Sequence, residues 1–280
     1  MATRIELAPA WVLHTRPYRD TSLLVDVFTL DFGRLRCVAR GVRGSRSKKK
    51  NLLQPFQPLL VSLVGRGELL TLTHAEFATG NIHLTGRSLF NALYLNELLV
   101  RLLHPFESHP LLYRAYQQAL LALYMGDEEP ALRWFEWQLL EELGYAIRAA
   151  HEAHSGAPVA ADAYYQFSPI AGFTRVPQPS AEHSVTVFQG SELIDLQQYM
   201  DRCRKESSGI AGFDDNKVQL LADFDARLAF CAKRLMRLAM RPLLGDRPLM
   251  TRSLFRKQMP KKANPPLSEA GCLPPGANKG

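Results

Sequence analysis

The chemistry-bearing residues of this chain are basic, and they crowd into one stretch. Between positions 34 and 50 stand Arg34, Arg36, Arg40, Arg43, Arg46, Lys48, Lys49 and Lys50, with no acidic residue among them. Like charges at this density repel, and a polyanion would relieve the repulsion and release counterions on binding. The first part, Arg34-Leu35-Arg36-Cys37-Val38-Ala39-Arg40, alternates in the period of a β-strand. Leu35, Cys37 and Ala39 then face inward and Arg34, Arg36 and Arg40 share the outer face. The strand runs on to Val42, and a polar, basic loop follows to Asn51. Tyr18, Phe32 and Phe56 are candidate stacking partners for unpaired bases. The competing reading is a solvated loop whose arginine stems cover the barrel edge.

Two further clusters invite binding chemistry. The segment after Pro130 spaces Leu132, Phe135, Leu139 and Leu143 as a buried helical stripe, with Arg133 and Trp134 beside it. An arginine next to an apolar groove near a helix start suits an acidic, hydrophobic peptide end. Plain helix packing explains the same residues, and the pattern alone favours packing. Farther on, Arg234, Arg237 and Arg241 fall on one helical face. That face suits either nucleic acid or the acidic middle of the chain.

Charge is uneven along the 280 residues. Residues 1–80 carry net +6, residues 81–226 net −9 and residues 227–262 net +10. Two basic ends thus flank an acidic middle, a distribution suited to phosphate binding. Catalytic signatures are sparse. The chain lacks a Walker loop, a G-x-G-x-x-G and a G-x-S-x-G. His151-Glu152-Ala153-His154 is one residue short of a zincin spacing, and Asp214-Asp215 reads as a helix start. A metal-assisted nuclease or hydrolase on these groups is the enzyme alternative, and an RNA-binding barrel the binding alternative. Cys37, Cys203, Cys231 and Cys272 are too scattered for a metal knuckle. Neither a signal peptide nor an apolar run of membrane-spanning length is legible, so the expected compartment is the cytoplasm.

The elements that must position these groups are of two kinds. Val12–Thr15, Ser22–Leu30, Arg34–Val42, Leu59–Val64 and Glu68–His74 read as five short strands. The third follows an Asp31-Phe32-Gly33 turn, and Gly65-Arg66-Gly67 makes a hairpin of the last two. Five strands in so short a span fit a small Greek-key barrel. From residue 86 the period becomes helical, with further helices at Pro110–Met125, Pro130–Leu143, from Ser191, and from about Lys217 to Arg241, where Pro242, Gly245 and Pro248 stop the last. The fold class is therefore α+β. An OB-fold barrel over 1–80 precedes a mainly helical domain over 81–258, with an irregular β insertion at 151–180 and a mobile tail over 259–280.

Several ordered segments resemble the RecO family of bacterial recombination and repair mediators. They are Ala10 to Tyr18, Thr21 to Thr29, Gly33-Arg34-Leu35-Arg36, Ala39 to Arg43 and Leu53-Gln54-Pro55-Phe56. Tyr94 to Leu99, Ala131 to Glu136, Leu143-Gly144-Tyr145, Pro242 to Gly245 and Arg252 to Arg256 follow in the same order. The resemblance implies single- and double-stranded DNA as ligands and annealing of complementary strands. It implies help in loading RecA, with RecR, onto strands coated by single-stranded DNA-binding protein (SSB), and a nucleoid-associated cytoplasmic protein that is not an enzyme. It also implies that the acidic SSB tail binds in the helical domain at Leu132 and Arg133. Many members carry a four-cysteine zinc module where this chain has residues 151–175. No cysteine stands there, so no zinc or other cofactor is expected.

Overall fold

The computed structural model describes residues 3–43, 49–78, 82–178, 185–207 and 223–258. Five strands, β1 (Thr3–Tyr18), β2 (Ser22–Thr29), β3 (Gly33–Ala39), β4 (Pro58–Gly65) and β5 (Leu69–Phe77), close into a barrel in the order β1-β2-β3-β5-β4. The closing contact between β3 and β5 is parallel, with Arg36 opposite Leu69 and Cys37 opposite Leu70. Val25, Val27, Leu35, Cys37, Val61 and Leu63 fill the interior. This is the OB-like barrel expected from the strand spacing.

The first strand is far longer than Val12–Thr15. β1 runs through both Pro9 and Pro17, with register irregularities between Ile5 and Ala8 and between Val12 and His14. Leu7 sits at φ 46° in the first of them. Bulges bend a strand while keeping it in the sheet.

The second irregularity has a structural use. Leu13 has no partner in the β1–β2 register, and its carbonyl accepts a 2.8 Å hydrogen bond from Asn96 Nδ2. Asn96 is buried on helix α2 (Gly86–Leu102), and the Tyr116 hydroxyl of α3 (Pro110–Met125) donates to its Oδ1. Around this polar joint the outer face of the barrel is apolar. Trp11, Leu13 and Phe28 join the helices in one core, with Trp11 edge-on to Tyr116 at 5.9 Å and Phe28 against Tyr113 at 5.4 Å. Asn96→Ala leaves the Leu13 carbonyl and the Tyr116 hydroxyl buried without each other's bridge. We expect it to cost about 2–3 kcal/mol in a urea unfolding series.

A short helix α1 (Lys49–Leu52) precedes β4. After α3 come α4 (Glu128–Glu142) and a small sheet of β6 (Tyr164–Ser168), β7 (Gly172–Val176) and β8 (Val187–Gln189) in the order β7-β6-β8. Helices α5 (Gly190–Ser207), α6 (Ala226–Leu244) and α7 (Met250–Gln258) complete the described chain. The expected hairpin at 151–180 is present, and β8 is an addition too short to show periodicity. Of the expected stops, Pro242 lies inside the last turn of α6 and Gly245, φ 59°, ends the helix. Residues 217–222 of the expected helix and the tail 259–280 lie outside the described residues. No described helix is long and apolar enough to cross a membrane.

Candidate nucleic-acid interface

Strand β3 turns as its sequence alternates. Leu35, Cys37 and Ala39 are buried in the barrel, while Arg34, Arg36 and Arg40 project from the outer face. The three arginines nevertheless meet different surroundings. Arg34 is drawn against the helical domain, with its side chain only 11% exposed. Its Nε donates to the Leu103 carbonyl at 3.0 Å and its Nη1 to Asp26 Oδ1 at 3.3 Å. Its own carbonyl accepts from Phe106 N–H at 3.1 Å. Burial is the largest influence on the Arg34 guanidinium and lowers its pKa; Asp26 opposes this and Arg36 adds to it. Beside it, Gly33 (φ 65°) approaches the linker so closely that a Cβ would fall 1.6 Å from the Glu107 carbonyl oxygen. Arg34 thus holds the barrel to the helices.

Arg36, Arg40 and Arg43 are different. Arg36 donates through Nε to Asp26 at 3.0 Å but keeps 42% of its side chain exposed. Arg40 and Arg43 are exposed, and Arg43 Nη1 donates to the Arg19 carbonyl at 3.1 Å. That bond ties the end of the β3 segment to the β1–β2 turn. Lys49 and Lys50 open α1; Arg46 and Lys48 lie outside the described residues.

Arg36 and Arg40 border two adjoining clefts. One, of about 270 Å³, lies among Arg16, Tyr18, Leu24, Arg36, Leu69 and Pro105. The next, of about 560 Å³, shares Tyr18 and Leu69 and runs past Arg19 to Arg40. Glu68 and Asp20 are the acids on their rims. Arg16 and Arg19 were not among the basic candidates. The signal for Arg16 lay in the strand itself, since Arg16 and Tyr18 share one face of β1 by period two, whereas Arg19 lies in the turn that follows. Of the three aromatic candidates, Tyr18 lines both clefts with the Arg19 guanidinium 5.3 Å from its ring. Phe32 is 38% exposed at the β2–β3 turn, and Phe56 is buried in the core. The arrangement combines separated guanidinium groups with one aromatic and one aliphatic face, which suits a charged backbone carrying flat bases.

Comparison with known proteins agrees with this architecture. Residues 1–81 match the family model for the Recombination protein O N terminal and residues 83–187 that for its C terminal. A protein of Pseudoalteromonas atlantica named DNA repair protein RecO is 42% identical over 250 residues, covering 88% of this chain and 92% of the relative. Relatives of the same name from Cellvibrio japonicus and Pseudomonas aeruginosa are 39% and 42% identical, covering 92% and 90% of this chain and 99% and 96% of their own. This chain belongs to the RecO family.

The second candidate site of this RecO-family chain is less open than its sequence suggests. Helix α4 is buried around its whole circumference from Ala131 to Leu140. Leu132 is 7% and Arg133 5% exposed. Arg133 Nη1 lies 3.1 Å from Glu136 Oε2, and Tyr94 donates its hydroxyl to the same carboxylate. Glu129 stands one turn before Arg133 and bonds Lys233 of α6 at 2.7 Å. Burial would raise the Glu129 pKa, but the Lys233 bond and the charges of Arg133, Lys233 and Arg87 outweigh it and hold the carboxyl below its ordinary value.

The third candidate face divides. Arg234 lies 4.1 Å over the Phe188 ring and 5.5 Å from Phe230, with Glu192 at 3.5 Å. Lys233 and Arg227 also pair with acids of the helical domain. Arg237 and Arg241 are exposed and make no ion pair with a described residue. Among the described residues no group of three His, Cys, Asp or Glu side chains could hold a metal. Cys37, Cys203 and Cys231 are buried thiols pushed up to about 12 by burial. His151 and His154 lie exposed in the irregular segment, and Asp214 and Asp215 are outside the described residues.

Proposed function

We propose that this RecO-family chain is a non-enzymatic DNA repair and recombination mediator that holds single-stranded DNA in the barrel groove. The observation that carries the reading is the set of solvent-accessible cations, Arg16, Arg19, Arg36 and Arg40, around Tyr18 and Leu69 on one barrel face. The names of its relatives, DNA repair protein RecO, supply the biological setting. Backbone contacts of this kind leave base edges free, so a strand held here can still pair. That is the physical basis for annealing, with Arg237 and Arg241 as cations available to duplex or a second strand. Assistance to RecA loading, together with RecR, is the wider role in this reading. The acidic SSB tail would dock at Arg133 and Leu132, its carboxylates taking the place of Glu129 on Arg133 and Lys233.

Salt decides the electrostatic part. With four phosphates engaged, log affinity for an oligonucleotide should fall against log salt with a slope of about −3. Anisotropy titrations across salt concentrations measure it, and a flat response would remove the groove from consideration. A matched RNA competitor tests the RNA alternative, and incubation of labelled DNA with magnesium tests the nuclease alternative.

A further inference from the structure

Asp26 is an acid set into the basic face of the barrel. Its side chain is 5% exposed on the outer face of β2, directly opposite Arg36 in the β2–β3 register. One oxygen, Oδ1, accepts both from Arg36 Nε at 3.0 Å and from Arg34 Nη1 at 3.3 Å. For a surface that attracts phosphate, a fixed negative charge there opposes binding. Its geometry supplies a compensating benefit. Arg34 and Arg36 stand two residues apart on one strand face, where their charges repel, and the carboxylate sits between them. Arg36 spends only Nε on Asp26, so the N–H groups of Nη1 and Nη2 remain for the cleft that it lines with Arg16 and Tyr18.

We infer that Asp26 is a positioning residue for nucleic-acid binding: it fixes the Arg36 guanidinium, by its Nε edge, with the opposite edge presented to a backbone phosphate. Asp26 is itself held through Arg34, which the Leu103 carbonyl anchors to the helical domain. The phosphate-facing arginine is therefore aligned from behind by both halves of the molecule. An arginine ordered before binding does not have to be ordered by the ligand. The inference rests on the reading of the groove as a nucleic-acid interface.

The two roles of Asp26 predict opposite signs. As a mere negative charge, its removal tightens DNA binding. As a positioning group, its removal weakens it. We expect Asp26→Asn in the full chain to bind a single-stranded oligonucleotide about three- to tenfold more weakly. The salt slope should shrink by about 0.7, the share of one single-strand phosphate. In an Arg36→Ala background the same change should instead leave binding unchanged or tighten it, because there is no arginine left to position. Should Asp26→Asn melt below the assay temperature, Asp26→Asn/Arg34→Met replaces it and is compared with Arg34→Met alone, since Arg34 also lines the cleft, with the same signs required. Unchanged or tighter binding by a folded Asp26 variant in the wild-type background overturns the inference. Arg16→Glu/Arg40→Glu separates the two failures. If that variant retains full affinity the groove reading fails, and if it loses affinity while Asp26→Asn does not, only the positioning role fails.

Discussion

Arg16→Glu/Arg40→Glu is expected to lower affinity for single-stranded DNA about a hundredfold at low salt. Each neutralised phosphate contributes roughly 0.7 to the salt exponent on a single strand, so losing two contacts removes more than a decade. Replacing them with like charge extends the loss. The pair is chosen for what it leaves undisturbed. Both side chains are exposed, and neither has a hydrogen bond or ion pair with a described residue. The unfolding midpoint should therefore stay close to that of the parent, and a stable variant with full affinity would show that the strand is held elsewhere. Added salt should narrow the gap between parent and variant.

Arg133→Ala should have the largest effect on stability, about 3–5 kcal/mol in a denaturant series, because it takes the cation from a carboxylate buried in the helical core. Glu136 is 2% exposed and lies 3.1 Å from Arg133. A loss under 1 kcal/mol would mean that Arg133 is not the buried partner described. Loss of acidic-peptide binding by Arg133→Ala alone is therefore ambiguous between docking and folding. Glu129→Gln resolves it. This change leaves Arg133 and Glu136 together but removes the carboxylate shared with Lys233. If an acidic tail docks on those cations, its affinity should rise when titrated by calorimetry; a fall or no change counts against a tail site here.

The sequence showed the faces of elements better than what covers them. Alternation along β3 located Leu35, Cys37 and Ala39 inside, and Pro110–Met125 was legible residue for residue because a proline opens it and Gly126 closes it in a left-handed turn. Alternation could not distinguish Arg34 from Arg36, since what differs is the linker from Leu103 to Glu107 packed over one of them. Asp26 was within reach. A tight turn at Asp31-Phe32-Gly33 sets a hairpin register that pairs position 26 with position 36. Helix α4 packs as its pattern favours, and Arg133 enters the interior because it and Glu136, three apart, neutralise each other. Strand β8, three residues long, offers no period at all.

Gly33 gives the barrel a fixed point of reference. Because β3 begins jammed against the Glu107 carbonyl, every outward residue of that strand is counted from a stationary end. At its other end the segment is tied at Arg43 to the β1–β2 turn through the Arg19 carbonyl, so length changes beyond Arg43 leave Arg36 and Arg40 in place. A single residue gained or lost between Phe28 and Arg34 would move the whole row along the strand and reverse its faces. Tolerance to length change is thus lopsided about β3, and variation among related chains has one permissive side on which to work.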